Sequence, residues 1–391
     1  MITKSKTRLG TDIIQSFVKK RPQIRCLIVV PTQNLKDQWV GILHNLELDF
    51  NTEVVVINTA AKHTYTCDFL IVDEIHTSVA PTLISIFENI QYKYLLGLTA
   101  TFERLDERHE LLKKYCPIVD SISDLEALAN GWVSPYKEYQ VLIDVDNIQE
   151  LKDMNTAFNR EFSFFNYDFN LAMNMTKDYR NQLKLRDQMC PNGTQQQKSD
   201  VLKAIKLHSA QFMRLIHARK KFINEHPKKL EIARKIIEAR PNAKIITFSK
   251  TIAMAEQIGM DGKVFSGKNT KKKNRLTIEE FHNGDFKVLH TVEAANAGLD
   301  IPGLSVAIML GIDSAKLKAQ QRKGRVIRQE LGKQAEIFNI IINNSAELQW
   351  FQKSHTGSDY ITIDEEGLND VLNGIEPKPY KKKLKNFAFR F

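Results

Sequence analysis

The sequence contains few cysteines and no long apolar run. Its four cysteines, Cys26, Cys67, Cys116 and Cys190, are scattered and form no Cys-x-x-Cys pair. This spacing argues against a zinc site and a disulfide framework, and it favours a reducing compartment. No stretch reaches the roughly 18 apolar residues of a membrane span, and the first residues lack the apolar core of a secretory signal. We therefore expect a cytoplasmic protein with no membrane partner.

The chain also lacks acidic excess and any internal repeat of solenoid period. Lysine and arginine total 56 against 46 aspartate and glutamate residues, which gives a net charge of +10. Such a balance favours a polyanion, such as nucleic acid, or an anionic surface as partner. With 391 residues, of which 42% are hydrophobic, the chain is long enough for two domains with separate cores.

Short apolar runs alternate with amphipathic stretches in the first third of the sequence. Buried parallel strands are predicted at Cys26–Pro31, Thr52–Ile57, Phe69–Val72 and Tyr94–Leu98. A helix is predicted over Leu9–Val18, ahead of the first of these strands. This alternation predicts an α/β fold, and we assign the first domain to residues 1–132.

The remainder divides into three parts. Residues 133–226 are predicted to form a connector strand and a helical insertion, because most of this range has no alternating strand signal. Strand and helix patterns return in residues 227–350, which we assign to a second α/β domain. Residues 351–391 form a tail whose end interleaves lysines with aromatics. Basic runs in the insertion and in the tail suit a nucleic-acid face. A solvated helix is the favoured explanation of the run in the insertion, and a frayed end explains the tail as readily.

Two adjacent carboxylates, Asp73 and Glu74, follow the predicted strand at Phe69–Val72. They would lie at the carboxyl ends of the parallel strands, where open α/β sheets bind ligands. Asp73 could hold Mg²⁺, and Glu74 could orient and deprotonate the water that attacks a terminal phosphate. A solvated acidic turn would carry the same pair, so these two residues alone leave both interpretations open.

Further motifs surround this pair in a fixed order. They are Pro31-Thr32, Asp73-Glu74-Ile75-His76, Thr99-Ala100-Thr101, Phe248-Ser249, Thr291 with Gly298-Leu299-Asp300-Ile301-Pro302, and Gln321-Arg322-Lys323-Gly324-Arg325-Val326-Ile327-Arg328. These segments resemble motifs Ia, II, III, IV, V and VI of the superfamily 2 helicases, with the DExH form of motif II. Within that superfamily they are most similar to the UvsW-like, XPB-like and restriction-translocase members. The resemblance implies two RecA-like parallel-sheet domains with the helical insertion between them.

The resemblance also implies a nucleotide site between the two domains, with ATP and Mg²⁺ as cofactors. It assigns catalytic roles to Asp73, Glu74, Gln321, Arg325 and Arg328. It assigns ATP binding to Lys6, Thr7, His76 and Asp300, and metal binding to Asp73 and Thr7. Guanidinium groups suit the arginine positions because they stabilise charge on a transferred phosphoryl group.

The resemblance also implies roles for smaller residues of the motifs. Some are implied to contact nucleic-acid phosphates, and others to couple the nucleotide site to the nucleic-acid site. The implied phosphate contacts are Thr32, Ser249 and Thr291, each of which could instead be a capping or strand hydroxyl. The implied coupling residues are Thr99, Ala100 and Thr101 of motif III. Val292 stands where a second threonine is frequent in motif V, so one predicted hydrogen bond to phosphate is lacking.

The main departure from the family lies at the start of the sequence. A phosphate-binding loop has the pattern G-x-x-x-x-G-K-[ST], in which backbone N–H groups cradle phosphates. Lys6-Thr7 match its end, but Ser5 occupies the second glycine position and the first glycine would precede Met1. We interpret Lys6-Thr7 as the remnant of motif I in a chain that looks truncated within that motif. A separate polypeptide could then supply the strand and loop.

These motifs together predict an ATP-dependent DNA helicase or translocase. The expected partner is single-stranded or branched DNA, and the host cytoplasm is the expected location if the gene is phage-encoded. An RNA helicase is the alternative enzyme, because the DExH motif is shared with that group. The alternative from another class is a nucleic-acid-binding protein without hydrolysis, which the incomplete motif I would explain.

Overall fold

The computed structural model of the protein describes residues 2–79, 83–100, 108–292, 301–330, 332–378 and 380. The strands are β1 Cys26–Val30, β2 Thr52–Val56, β3 Tyr65–Thr66, β4 Phe69–Asp73, β5 Ile90–Gln91, β6 Tyr94–Leu98, β7 Tyr136–Ile143, β8 Lys244–Ser249, β9 Lys263–Ser266, β10 Val288–Val292, β11 Leu304–Met309, β12 Ala335–Ile342 and β13 Ile361–Ile363. The α-helices are α1 Ile2–Lys20, α2 Gln33–Asn45, α3 Ile57–Ala60, α4 Ile86–Asn89, α5 Asp124–Ala129, α6 Ile148–Ser163, α7 Phe169–Lys177, α8 Tyr179–Met189, α9 Gln195–Asn224, α10 Pro227–Glu238, α11 Ile252–Ile258, α12 Lys271–Asn283, α13 Lys316–Val326, α14 Glu347–Ser354 and α15 Glu365–Leu372. Two 3-10 helices span Ile75–Thr77 and Arg108–Lys114.

The first domain is built on a parallel sheet with strand order β2-β1-β4-β6. Every residue of β1 and β4 is buried, as their continuous apolar runs predict. Helices α1 and α2 cover one face through Ile14, Trp39 and Leu43. Gly10 of α1 lies so close to Trp39 that a Cβ atom there would be 2.8 Å from the indole ring. The close approach of α1 to the sheet therefore depends on glycine at this position.

The second domain contains a seven-stranded parallel sheet with order β13-β7-β12-β11-β8-β10-β9. Apolar side chains pack on both faces of this sheet. Strand β7 pairs with β12 over eight residues, and β13 pairs with β7 at the edge. Since β7 precedes residue 227 and β13 follows residue 350, this domain is larger than the predicted range 227–350. Both strands pair with partners distant in the sequence, which the local pattern does not reveal.

Helices α6 to α9 form the predicted helical insertion. They enclose a small core of Phe165, Ala172, Met175, Ile205 and Phe212. The long helix α9 begins with a capping box at Thr194 and Gln197, which satisfies backbone groups at its amino terminus. The insertion therefore has a hydrophobic core of its own and stands apart from both sheets in sequence.

Two predicted boundaries differ from the structure. Helix α1 begins at Ile2 rather than at Leu9, and it includes Lys6 and Thr7. Ala127 of α5 and Val133 pack in the core of the second domain, so the chain leaves the first domain before residue 132. None of the helices that the structure describes is long and apolar enough to cross a membrane.

Candidate functional site

Strand β4 delivers the two carboxylates to the carboxyl edge of the first sheet. Asp73 is its last residue, and Glu74 follows in the left-handed conformation with φ of 49° and ψ of 50°. The N–H group of Glu74 donates to Oδ1 of Asp73 over 2.9 Å. This turn directs the backbone into the 3-10 helix at Ile75–Thr77 and keeps the two side chains in fixed relation.

Asp73 is almost completely buried, with 3% of its surface exposed. The indole Nε1 of Trp39 donates to its Oδ2 over 3.0 Å. Burial raises the pKa of the Asp73 carboxyl above its usual range, while the charge of Lys6 and the Trp39 hydrogen bond act in the opposite direction. A cation placed beside this carboxylate would offset the cost of its burial.

Lys6 contributes the cation on this side of the site. Its Nζ lies 2.5 Å from Oε1 of Glu74, and both side chains are mostly buried. Lys6 and Thr7 belong to helix α1 and not to a loop. The side chain of Lys6 nevertheless reaches Glu74, the predicted base. Thr7 lines the same cleft. The structure thus brings Lys6, Thr7, Asp73 and Glu74 to one place, and their roles in ATP and metal binding stay predictions.

His76 links motif II with motif III. Its Nδ1 lies 2.9 Å from Oγ1 of Thr99 and 3.4 Å from Oε2 of Glu74. Thr99 and Ala100 follow β6 and line the cleft beside Glu74. A shift of the loop after β6 would therefore move His76 and change its contact with Glu74, the predicted base. Thr101 lies outside the described residues.

The arginines of motif VI lie on the opposite wall of the cleft. Gln321 and Arg325 belong to helix α13, Arg328 follows its end, and all three line the cleft. Burial lowers the pKa of Arg325 to about 10, so its guanidinium group stays charged at neutral pH. Arg322 of the same motif instead bonds within the second domain, to Gly311 O over 3.0 Å and to Asp313 Oδ2 over 2.9 Å.

A single cleft of about 2030 Å³ joins these two walls. Ligand pockets for small molecules usually measure about 300–1,000 Å³, so this cleft has room for more than a nucleotide. Six consecutive residues from Leu95 to Ala100 line it. Because side chains alternate along a strand, contact with consecutive residues places the cleft along the edge of β6.

The three predicted phosphate contacts lie in different surroundings. Thr32 is the N-cap of α2, accepting from Leu35 N over 3.4 Å, and it lines the cleft. Thr291 is fully buried and its hydroxyl donates to Thr247 O over 2.7 Å. Ser249 is buried at the end of β8, and its hydroxyl has no hydrogen-bond partner among the described residues. Their nucleic-acid contacts stay predictions. Asp300 lies outside the described residues.

Sequence reasoning missed the role of Trp39. The residue stands eight positions after Pro31 on α2, and nothing in this spacing shows that its indole N–H faces Asp73. Sequence reasoning also gave no partner for Lys6, because 68 residues separate it from Glu74. Both contacts depend on how helices α1 and α2 pack against the sheet.

Two protein families match parts of this chain. The helicase conserved C-terminal domain matches residues 228–330, and the res subunit of type III restriction enzymes matches residues 54–104. A DNA 3'-5' translocase XPB2 of Sulfurisphaera tokodaii is 24% identical over 361 residues, which cover 88% of this chain and 76% of that protein. Putative helicase 22 of a Sulfolobus islandicus filamentous virus is 25% identical over 280 residues, covering 71% of this chain and 43% of that protein.

Solved structures share the fold. A Saccharomyces cerevisiae Dbp5 structure, bound to RNA and ADP BeF3, aligns with a TM-score of 0.53 at 13% identity over 90% of this chain and 80% of that one. The Pyrococcus furiosus Hef helicase domain aligns with a TM-score of 0.52 at 15% identity over 88% of this chain and 97% of that one. These solved structures show the fold, two RecA-like domains with a cleft between them. The two family matches and the similarity to the XPB2 translocase support a superfamily 2 helicase of the XPB and restriction-translocase type.

Proposed function

We propose that this protein is an ATP-dependent DNA helicase or translocase. The observation that carries the proposal is the cleft with Lys6 and Glu74 on one wall and Arg325 and Arg328 on the other. Opposed carboxylates and arginines suit phosphoryl transfer, whose catalysis consists mainly of positioning and charge stabilisation. DNA as the track is supported by the similarity to a protein named as a DNA 3'-5' translocase.

Each side chain has a distinct role in this proposal. Asp73, with Thr7, would hold Mg²⁺ together with substrate phosphates, which matches the preference of this ion for one or two carboxylates. The bound ion would neutralise charge on the phosphates. Lys6 would leave Glu74 for a phosphate oxygen, and Glu74 would then accept a proton from the attacking water. The buried Asp73 carboxylate, whose pKa is raised by burial, fits a cation site on this account.

Nucleic acid would lie across both domains. Thr32 lines the cleft at the end of the first sheet. Ser249 is the last residue of β8, and Thr291 is the next-to-last residue of the neighbouring strand β10. Contacts of this kind bind the phosphate backbone and carry little sequence information. Closing and opening of the cleft during turnover would move the protein's phosphate contacts along one DNA strand. Binding to single-stranded or branched DNA is the form of substrate that we propose.

The outer edge of strand β6 offers a place for an additional strand. Strand β6 pairs with β4 on one side, and on the other side no strand among the described residues pairs with it. Its residues Tyr94-Leu95-Leu96-Gly97-Leu98 carry no charge that would protect such an edge. We propose that a strand followed by a glycine-rich loop, supplied by a separate polypeptide, would complete the sheet here. The predicted cytoplasmic location also stays part of the proposal.

The test is ATP hydrolysis by the full chain without nucleic acid, with single-stranded and branched DNA, and with matched RNA. We expect weak turnover that DNA stimulates, and stronger stimulated turnover when an upstream strand and loop are fused to the Ser5→Gly variant. Stimulation by RNA in preference to DNA would identify an RNA helicase instead. DNA binding without hydrolysis in either protein would identify a binding protein and contradict the proposal.

A further inference from the structure

The chain enters the second domain directly beside the arginines of motif VI. Leu112 packs in a core of the first domain and Ala127 packs in a core of the second domain. Residues 117–123 therefore connect the two domains. A turn at Gly131, with φ of +64°, then leads to Val133. Val133 forms an antiparallel bridge with Arg328. The segment that enters the second domain is therefore paired, at Val133, with the backbone of a predicted catalytic arginine.

Ser134 strengthens this pairing with three hydrogen bonds. Its N–H group donates to Ile327 O over 2.8 Å, and its hydroxyl donates to Arg328 O over 2.8 Å. The same hydroxyl accepts from Glu330 N over 3.0 Å. Ser134 is only 1% exposed, so water does not replace these bonds when they are lost. One side chain thus holds the backbone on both sides of Gln329.

The turn that carries Arg328 is also anchored from the opposite side. The carboxylate of Glu330 accepts from Gly303 N with its two oxygens, over 2.8 and 3.0 Å. Lys333 Nζ donates to Arg328 O over 3.1 Å. Gly303 directly precedes β11, so the turn after α13 is held between the sheet and the segment entering from the first domain. Releasing one anchor would leave the turn held from one side only.

We propose that Ser134 is a positioning residue for Arg328, which ties the place of this arginine in the cleft to the segment that joins the two domains. The inference rests on the proposed function, in which Arg328 stabilises charge on the transferred phosphoryl group. A movement of the first domain pulls on residues 117–123, and α5, Val133 and Ser134 transmit it to the backbone of Arg328. The arginine then reaches its working position only when the domains are correctly placed.

The test compares Ser134→Ala with Ser134→Thr, which keeps the hydroxyl. Binding of ADP is measured with and without aluminium fluoride, a mimic of the transferred phosphoryl group, so that no turnover is needed. We expect Ser134→Ala to lower affinity for the mimic about tenfold while ADP affinity stays within about twofold, because positioning errors act on the transition state. Ser134→Thr is expected to keep most of the parent preference for the mimic.

Hydrogen exchange at the Glu330 amide reports the clamp itself. Ser134→Ala should speed this exchange several-fold, since the amide loses its acceptor. Ser209→Ala is the matched control, because Ser209 is a buried serine of the helical insertion, remote in sequence from motif VI. Faster exchange with unchanged preference for the mimic would overturn the positioning role. A parent chain that binds ADP and the mimic equally would instead refute the proposed role of Arg328, and with it this inference.

Discussion

The Nζ atom of Lys6 lies 2.5 Å from Oε1 of Glu74, so helix α1 provides the cation that neutralises the predicted base. Such a pair holds the carboxylate ready without leaving a buried charge uncompensated. Binding of a phosphate would compete for the lysine and release Glu74 toward water. On the proposed function, this ion pair would connect nucleotide binding with activation of the base through one side chain.

Replacing Glu74 with glutamine should separate binding from turnover. The amide cannot accept a proton from water, so we expect ATP turnover to fall at least ~10²-fold while nucleotide and DNA binding are retained. Steady-state hydrolysis and DNA binding are the measurements, made in the chain with the added strand and loop if the parent is silent. Glu53→Gln, an exposed change on β2, is the control. Equal turnover in Glu74→Gln and parent would exclude the base role.

Replacing Lys6 with alanine tests the interpretation of motif I. We expect Lys6→Ala to abolish the hydrolysis that an added strand and glycine loop restore, because no other described lysine contacts Glu74. Lys20→Ala, at the end of the same helix, should leave that hydrolysis unchanged. Robust hydrolysis by the unmodified chain that is insensitive to Lys6→Ala would show that Lys6-Thr7 are not a remnant of motif I.

Replacing Trp39 with phenylalanine removes the indole donor to Asp73 and keeps most of the packing. A buried carboxylate that loses one hydrogen bond should cost about 1–3 kcal/mol in the free energy of unfolding. Urea denaturation measures this loss, and Trp350→Phe is the control because Trp350 packs on the second-domain core. A change below about 0.5 kcal/mol in Trp39→Phe would mean that the indole contributes little to holding Asp73.

The net charge of +10 predicts salt-sensitive binding to DNA. Lysine and arginine that neutralise phosphates release counterions, so affinity should fall at least about tenfold between about 50 and 200 mM salt. Titrations with two unrelated single-stranded sequences should give similar affinities, because phosphate contacts do not read bases. Affinity that is unchanged across this salt range would contradict binding through phosphates.

The buried His290 predicts a loss of stability in mild acid. Burial lowers the pKa of its imidazole below 6.5, while Nε2 lies 2.9 Å from Gly259 O and Nδ1 lies 2.9 Å from Thr247 Oγ1. The unfolded chain therefore takes up a proton that the folded ring excludes. Stability from the neutral ring is present above about pH 6.5 and is lost as the pH falls toward the folded pKa.

His290→Gln should remove this dependence. We expect its free energy of unfolding to fall less than that of the parent between about pH 7 and pH 5, as measured by urea denaturation. His63→Gln, a change at an exposed histidine, should keep the slope of the parent. Identical slopes for His290→Gln and parent would assign the acid sensitivity to other groups.

Local patterns in the sequence were enough to predict much of the fold. Strand β6 has the predicted bounds, and each of the other predicted strands of the first sheet differs by one residue. Continuous apolar runs require burial on both faces, and only a parallel sheet covered by helices provides it. The order of motifs around Asp73-Glu74 was likewise sufficient to indicate the superfamily.

Contacts between distant residues were decided by the tertiary structure alone. Sequence could not place Lys6 beside Glu74, Trp39 beside Asp73, or Ser134 on the backbone of Arg328. It also left β7 and β13 outside the second domain, because strand pairing across 200 residues leaves no local signal. The composition and period of a segment determine its conformation and which side is buried. Its partners depend on how whole helices and sheets pack, which is how residues distant in the sequence come together in the cleft.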